Sequence, residues 1–531
     1  MKLLSKSIAA AVLCSAATGC SSYLDVNVNP NNPTVATADA ILAQALSTTA
    51  ANYSGNTPSY NSYSMFAAGY IAKSGTVNGY TEERTYNYTS TFYSGLFDNT
   101  YDNLLDYDLI EKQAPAQNLP FHAAIARIMK AYNYQLLVDQ YGDVPYTNAL
   151  KGLANVTPTY DKGTDIYKDL IVQLDGAIAS IKDNLKLTTV RVVGAEDVVF
   201  KGNMTSWIRF ANSLKLRILL RESQVPSLDA YVRTEMARLQ ANTDGYITTD
   251  VEAQPGYLQT AGKQNPLYNR YGVTSTGLAA TERSYQLPTN YATNLYFLNH
   301  DSRAPRLFST IGGVFVAVDA GERNPVLGNK GSRFRLNGGI LKGFDAPISL
   351  MLLADHLFAK AEAETRGLYT GGDAAAKTDY LAGITASFVY FYRVAPSLRQ
   401  TATDSSAFVT TPNIAGNRLG SGKVARYLAA NVGNPMVDYD AATRNGALGK
   451  QEIIIFQKYL ANNVVGATEA WDDYRRTGLP KIKASLESSL SGRPDKLPTR
   501  LLYPLSEVTT NGSNVPAGTS QTTKVFWDVV D

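Results

Sequence analysis

A chain of 531 residues can bury a large core, and a formal charge of +3, from 49 Lys and Arg against 46 Asp and Glu scattered singly, leaves no electrostatic footprint for nucleic acid. Charged residues make up only 18%, while Tyr numbers 34 against three Trp. Hydroxylated rings set among Asn, Thr, Ser and Gly suit uncharged polar ligands.

Residues 1–19 read as an export signal. Met1-Lys2-Leu3-Leu4-Ser5-Lys6 is a short basic start, Ile8 to Ala17 is apolar but too short to span a bilayer, and Thr18-Gly19 are small. Cys20 follows in the context where a lipoprotein signal is cut and the cysteine acylated, which would hold the protein on a membrane without a spanning helix. Cys14 leaves with the signal, so export proceeds without a disulfide framework. Residues 20–38 form a lipidated tether in which Pro30 and Pro33 forbid regular structure. Asp25, Asn27, Asn29 and Asn31 alternate like calcium-loop ligands, yet Pro30 stands where that loop wants glycine and no bidentate Glu follows, so no metal site is read.

From 39 to 531 the pattern is that of a single, mostly α body. A first helix covers residues 39–53. Periodicity then collapses over 54–93, where Tyr60, Tyr63, Tyr70, Tyr80, Tyr86, Tyr88 and Tyr93 argue against disorder and for a segment that either packs on helices or recognises a ligand. Helices resume at 95–111 and 121–141. In the latter, Phe121, Ile125, Ile128, Met129, Tyr132, Leu136 and Tyr141 make an unbroken apolar face, with Gly142 and Pro145 as a double stop.

Next come helices at 164–185 and 205–221. The second carries a stripe of Trp207, Phe210, Ala211, Leu214 and Ile218, a cap expected from Thr205 or Ser206, and four cations, Arg209, Lys215, Arg217 and Arg221, expected to be solvated or paired with carboxylates. A shorter helix spans 227–242. Residues 243–344 form a second irregular, Tyr-rich region, in which the glycine pairs at 312–313 and 338–339 suggest small hairpins. Helices at 348–366 and 379–393 pair antiparallel at nearly the tetratricopeptide spacing of about 34 residues. After a loop at 395–422, short helices at 450–460 and 469–476 lead to an extended strap beyond 494.

Enzymatic constellations are scarce. His122, His300 and His356 stand apart, and there is no phosphate loop, Gly-x-Ser-x-Gly or His-Glu-x-x-His. Asp355, Glu362 and Glu364 lie on a scaffold helix, and Asp472-Asp473 before Arg475-Arg476 read as ion pairing. A glycoside hydrolase with a cryptic carboxylate pair is the enzymatic alternative, because only separation in space identifies such a pair. No catalytic residue, metal or cofactor is assigned.

Six stretches occur in the order seen in SusD/RagB-like outer-membrane lipoproteins: Cys20 to Pro33, Gln140-Tyr141-Gly142-Asp143-Val144-Pro145, Trp207 to Arg221, Ala361 to Gly367, Glu469 to Pro480, and Arg500-Leu501-Leu502-Tyr503-Pro504. The chain resembles that family along its mature length. The resemblance implies a tetratricopeptide-like helix-pair scaffold with long irregular segments and a few short β-hairpins. It further implies a non-enzymatic, cell-surface lipoprotein that binds oligosaccharides, or in some members oligopeptides, and delivers them to a SusC-like TonB-dependent transporter. Sugar rings lie on aromatic faces while their hydroxyls need polar edges, so the candidate ligand residues are Tyr80, Tyr86, Asn87 and Tyr88 in the first irregular segment and Asn265, Tyr268, Asn269 and Tyr271 in the second.

Overall fold

A computed structural model describes residues 37–325, 330–398, 421–442, 447–490 and 492–530. The export signal, Cys20 and all but the end of the tether lie outside the described residues. The first half runs α1 (Ala38–Tyr53), α2 (Tyr60–Ala67), β1 (Ile71–Lys73), α3 (Thr81–Thr85), α4 (Gly95–Gln113), α5 (Pro120–Tyr141), β2 (Val144–Pro145), β3 (Tyr160–Asp161), α6 (Gly163–Asn184), α7 (Met204–Glu222) and α8 (Asp229–Gln240). An irregular stretch follows with β4 (Val251–Ala253), α9 (Pro266–Tyr271), β5 (Gln286–Pro288), α10 (Asn290–Leu298) and α11 (Ala304–Leu307). The second half contains β6 (Ile348–Met351), α12 (Leu353–Thr365), α13 (Gly372–Tyr392), α14 (Ser421–Ala430), α15 (Ala447–Ala461), α16 (Ala467–Thr477) and α17 (Leu505–Thr510).

Helices adjacent in sequence pack side by side: α4 on α5, α5 on α6, α6 on α7, α7 on α8, and later α12 on α13. This is the helix-pair scaffold that the spacing predicts, because each amphipathic helix needs a neighbour to cover its apolar face. α5 is largely buried; Pro120 occupies its first turn and Gly142, at φ +76, ends it. α7 is capped by Asn203, whose side chain accepts from the N–H of Ser206 at 3.0 Å, rather than by Thr205 or Ser206.

The run at 348–366 departs from the expected continuous helix. Ile348 to Met351 form β6, which pairs antiparallel with β4 (Ile348 opposite Ala253), and the helix begins only at Leu353, whose N–H donates to Asp250 Oδ1 at 2.9 Å. Pairing with a strand about a hundred residues upstream overrides a local pattern that fits either state. α14 lies partly inside the expected loop at 395–422. Glycines 312 and 313, at φ +58 and +85, make the expected two-residue turn between the bridged Ile311 and Val314, whereas at 338–339 the flanking bridge of Leu336 with Leu341 is parallel.

A buried network of ion pairs joins the two halves. On α7, Arg217 meets Asp355 of α12 at 3.0 Å and Glu469 of α16 at 2.9 Å; Arg221 meets Glu469 at 2.7 Å and also Asp472. Lys458 of α15 bridges Asp355 at 3.4 Å and Asp473 at 2.9 Å, and Arg476 grips both oxygens of Glu362 at 2.6 and 2.7 Å. Asp139 of α5 joins through Arg221 at 3.6 Å and is further held by Trp527 Nε1, which donates at 3.0 Å, and by Tyr167 and Gln135. Burial by itself would raise Glu362, but the Arg476 guanidinium holds its carboxyl down at about 2.

Removing one member of such a network leaves an uncompensated buried charge. Arg476→Ala should therefore lower unfolding free energy by about 3–5 kcal/mol. Breaking the exposed Lys186–Asp183 pair, with both side chains 72% accessible, should change it by under about 1 kcal/mol. Chemical denaturation of the two variants measures the contrast.

Candidate ligand-binding surface

The two irregular segments come together. β1 and β5 pair antiparallel, with Ile71 opposite Pro288 and Lys73 opposite Gln286. The N–H of Ser74 donates to Tyr285 O at 2.7 Å, its hydroxyl to Ser284 O at 2.6 Å, and the N–H of Thr289 to Tyr70 O at 3.0 Å. α2 anchors the first segment to the scaffold: Asn61 Nδ2 donates to Val465 O at 3.1 Å, while its Oδ1 accepts from the N–H of Thr468 at 3.0 Å.

Tyr80 sits at the junction. Its ring stacks on Phe66 with centroids 4.9 Å apart, its hydroxyl accepts from Gln286 Nε2 at 2.6 Å, and that hydroxyl lies 3.5 Å from Glu282 Oε2. Glu282 in turn accepts from Arg270 Nε at 2.9 Å, and Arg270 donates to Asn56 O at 2.6 Å, so α9 is tied to the same cluster. Tyr80 and Tyr86 flank the single-turn α3 and both adopt left-handed backbone, at φ +62 and +58. For a tyrosine that conformation costs on the order of 1 kcal/mol or more, and it persists only where surrounding contacts impose it.

The structure distributes the eight sequence-predicted residues over two layers. Tyr80 is half-buried, and Asn87 and Asn269 are exposed. Tyr86 and Tyr88 lie beneath the surface: the Tyr86 hydroxyl accepts from the N–H of Ser485 at 3.0 Å, and Tyr88 stacks on Phe92 at 4.4 Å. Asn265 is buried as the cap of α9, accepting from the N–H of Tyr268 at 2.9 Å, and Tyr268 and Tyr271 pack behind it. Gln286, Glu282 and Glu83 were not among the predicted residues. The signal for the first two was their spacing around Tyr285 at a strand start, which becomes readable only once the partner strand is known.

Between Phe66, Lys73, Tyr80, Glu83, Arg84, Gly321 and Ser485 lies a depression with free space of about 10 Å³, room for one water molecule. A ligand larger than that lies over this surface and not inside it. The tail closes the edge, with Glu487 paired to Arg84 and to Arg323, each at 2.5 Å, and Leu486 N–H donating to Ala320 O at 2.9 Å. Among the described residues, no group of three or more His, Asp or Glu side chains is placed to hold a metal ion.

Tetratricopeptide-like helix pairs carrying two zipped, aromatic-rich excursions define a helical-repeat binding scaffold. The chain belongs to the SusD-like family: the family described as "Starch-binding associating with outer membrane" matches residues 30–504. Among solved structures, a SusD homolog from Bacteroides fragilis is similar at TM-score 0.69 and 21% identity, covering 93% of this chain and 99% of that one. A chitin-binding SusD homolog from Flavobacterium johnsoniae is similar at TM-score 0.69 and 22% identity, covering 92% of this chain and 99% of its own. A putative outer-membrane protein from Bacteroides vulgatus, described as probably involved in nutrient binding, is similar at TM-score 0.70 and 19% identity, covering 93% and 100% of the two chains. No curated protein matches the chain. No helix among the described residues is long and apolar enough to cross a membrane.

Burial pushes the Glu83 carboxyl up to about 7. A carboxyl that binds its proton more tightly when folded contributes stability that is present below its unfolded value of 4.5 and lost as pH rises through about 7. Glu83→Gln should flatten the decline in melting temperature between pH 5 and 8, roughly 3 kcal/mol of stability at full effect. Thermal melts across that window read it out.

Proposed function

We propose that the protein is a cell-surface lipoprotein that binds an oligosaccharide over the junction of the two irregular segments and passes it to a SusC-like TonB-dependent transporter. The observation that carries this reading is Tyr80: one ring face covered by Phe66, the hydroxyl fixed by Gln286, and the backbone locked in a left-handed conformation. An aromatic face immobilised before the ligand arrives loses little entropy on binding. Sugar C–H groups lie on the ring, Glu282 and Arg84 supply polar groups beside it, and the exposed Asn87 and Asn269 are further candidates. Tyr86, Tyr88, Asn265, Tyr268 and Tyr271 shape the layer beneath. The starch description of the family and the chitin-binding homolog support a glycan rather than a peptide. No cofactor enters this reading, and the protein acts by binding, not by cleaving.

The anchor is an acylated Cys20, with residues 1–19 removed. Cys20→Ser should move the protein from the membrane fraction to the soluble fraction, measured by fractionation and fatty-acid labelling.

For the ligand, glycan arrays and a peptide pool are presented to the soluble mature domain. Tyr80→Ala should weaken retention of the best glycan about tenfold, as expected when a stacking ring is lost, with a melting temperature within a few degrees of the parent. Retention of peptides in place of glycans would shift the reading to oligopeptides, and release of shortened products would restore the hydrolase.

A further inference from the structure

A cleft of about 440 Å³ opens between α4, α5, α6 and the loop following β2, and none of its lining residues belongs to the segments 54–93 and 243–344. Its size is that of a small-molecule site. Arg127, Lys130 and Tyr134 stand at i, i+3 and i+7 on α5 and so share one face of it. Tyr146 donates from its hydroxyl to Asp169 Oδ2 at 2.5 Å, Gln173 Nε2 donates to the same oxygen at 2.9 Å, and Gln173 Oε1 accepts from Arg127 Nε at 2.7 Å. This chain of bonds fixes the guanidinium. Gly176 lets it lie against α6, since a Cβ there would meet Arg127 Nη2 at 2.6 Å.

Two groups in this wall are left with bonding capacity. The Nη groups of Arg127 take no partner among the described residues, whereas Lys130 is held by Asp108 at 3.0 Å and Glu111 at 3.1 Å. Tyr134 is 2% exposed, its ring meets Tyr146 edge-on at 4.6 Å, and its hydroxyl has no partner. A buried hydroxyl without a partner carries an uncompensated desolvation cost, which a ligand hydroxyl would relieve. Leu150, on the same cleft, is held in left-handed backbone at φ +60, a conformation that a leucine adopts only under constraint.

We infer that this cleft is a second ligand site, for a small carboxylate-bearing polyol such as a uronic acid unit. Its carboxylate lies on the open fork of Arg127, the geometry that guanidinium matches best, and a ring hydroxyl completes the bond that Tyr134 lacks. Among the described residues the lining cations without a carboxylate partner are Arg127 and Lys151; Lys151 is exposed and donates to Asn148 Oδ1 at 2.7 Å, so the fixed Arg127 is the one built to take a carboxylate.

Calorimetric titration of the mature protein with sodium galacturonate tests this. Binding should be measurable at millimolar concentration or below, about tenfold tighter than that of neutral glucose, and weakened about tenfold by Arg127→Gln. Tyr134→Phe should weaken binding several-fold while leaving the ligand-free melting temperature equal or higher, because no bond of the free protein is removed. That opposite response separates a ligand contact from a packing role. Equal affinity for glucose, no effect of Arg127→Gln, or an acidic dipeptide that binds as tightly as galacturonate would each overturn the assignment.

Discussion

The constraint on which the architecture depends is the set of charges sealed between the two halves of the chain. Arg217, Arg221, Lys458 and Arg476 are nearly excluded from water, and each is opposed by at least one carboxylate from a helix far away in sequence. A buried pair returns little net stability over an apolar one of the same shape, but it tolerates no misplacement, because a slipped helix leaves an ion unpaired in a medium that solvates it poorly. The network thus fixes how α5, α7, α12, α15 and α16 stand together. α16 carries that position outward: Thr468 on its first turn holds Asn61 of α2, and the chain beyond it supplies Ser485 to Tyr86 and Glu487 to Arg84. Where the candidate surface sits is therefore decided by an ionic core with which it shares no residue.

The long helices were legible from periodicity because burying an apolar stripe is a local requirement that the sequence repeats every three or four residues. What escaped was what depends on a distant partner. β6 could not be told from the start of α12 until β4 lay beside it, and Arg217 and Arg221, expected to be solvated or paired, could not be matched to Asp355 and Glu469, which come from elsewhere in the chain. At the candidate surface, the sequence marked two segments that come together in the fold, but not which way each ring turns. Asn265-Pro266 before Leu267-Tyr268 is the signature of a helix cap followed by proline in the first turn, which is the role Asn265 fills.

The abundance of tyrosine has a second explanation beyond ligand chemistry. Helix ends, short strands and irregular segments leave backbone carbonyls without ladder partners, and each needs a donor if it is to be buried. Tyr70 donates to Tyr459 O at 2.6 Å, Tyr132 to Leu350 O at 2.8 Å, Tyr296 to Leu460 O at 2.8 Å and Tyr380 to Val437 O at 2.7 Å. In each case one residue supplies apolar area in the core and a donor at its far end. Long excursions that contain no cysteine can be fastened this way, so a high tyrosine count is expected of the scaffold before any ligand is considered.

The shape of the candidate surface bears on the proposed hand-over. The depression beside Tyr80 admits little more than a water molecule, so an oligosaccharide on it is contacted from one side and keeps much of its hydration on the other. Deep sites enclose most of a ligand's surface, and the water excluded there underlies both their affinity and their slow release. A one-sided platform binds more weakly and releases faster, and the exposed face of the ligand stays available to a second protein. For a carrier that must pass its cargo on, the platform should hold the ligand less tightly than the receiving site does, and an open, preorganised ring meets that condition better than an enclosed pocket would.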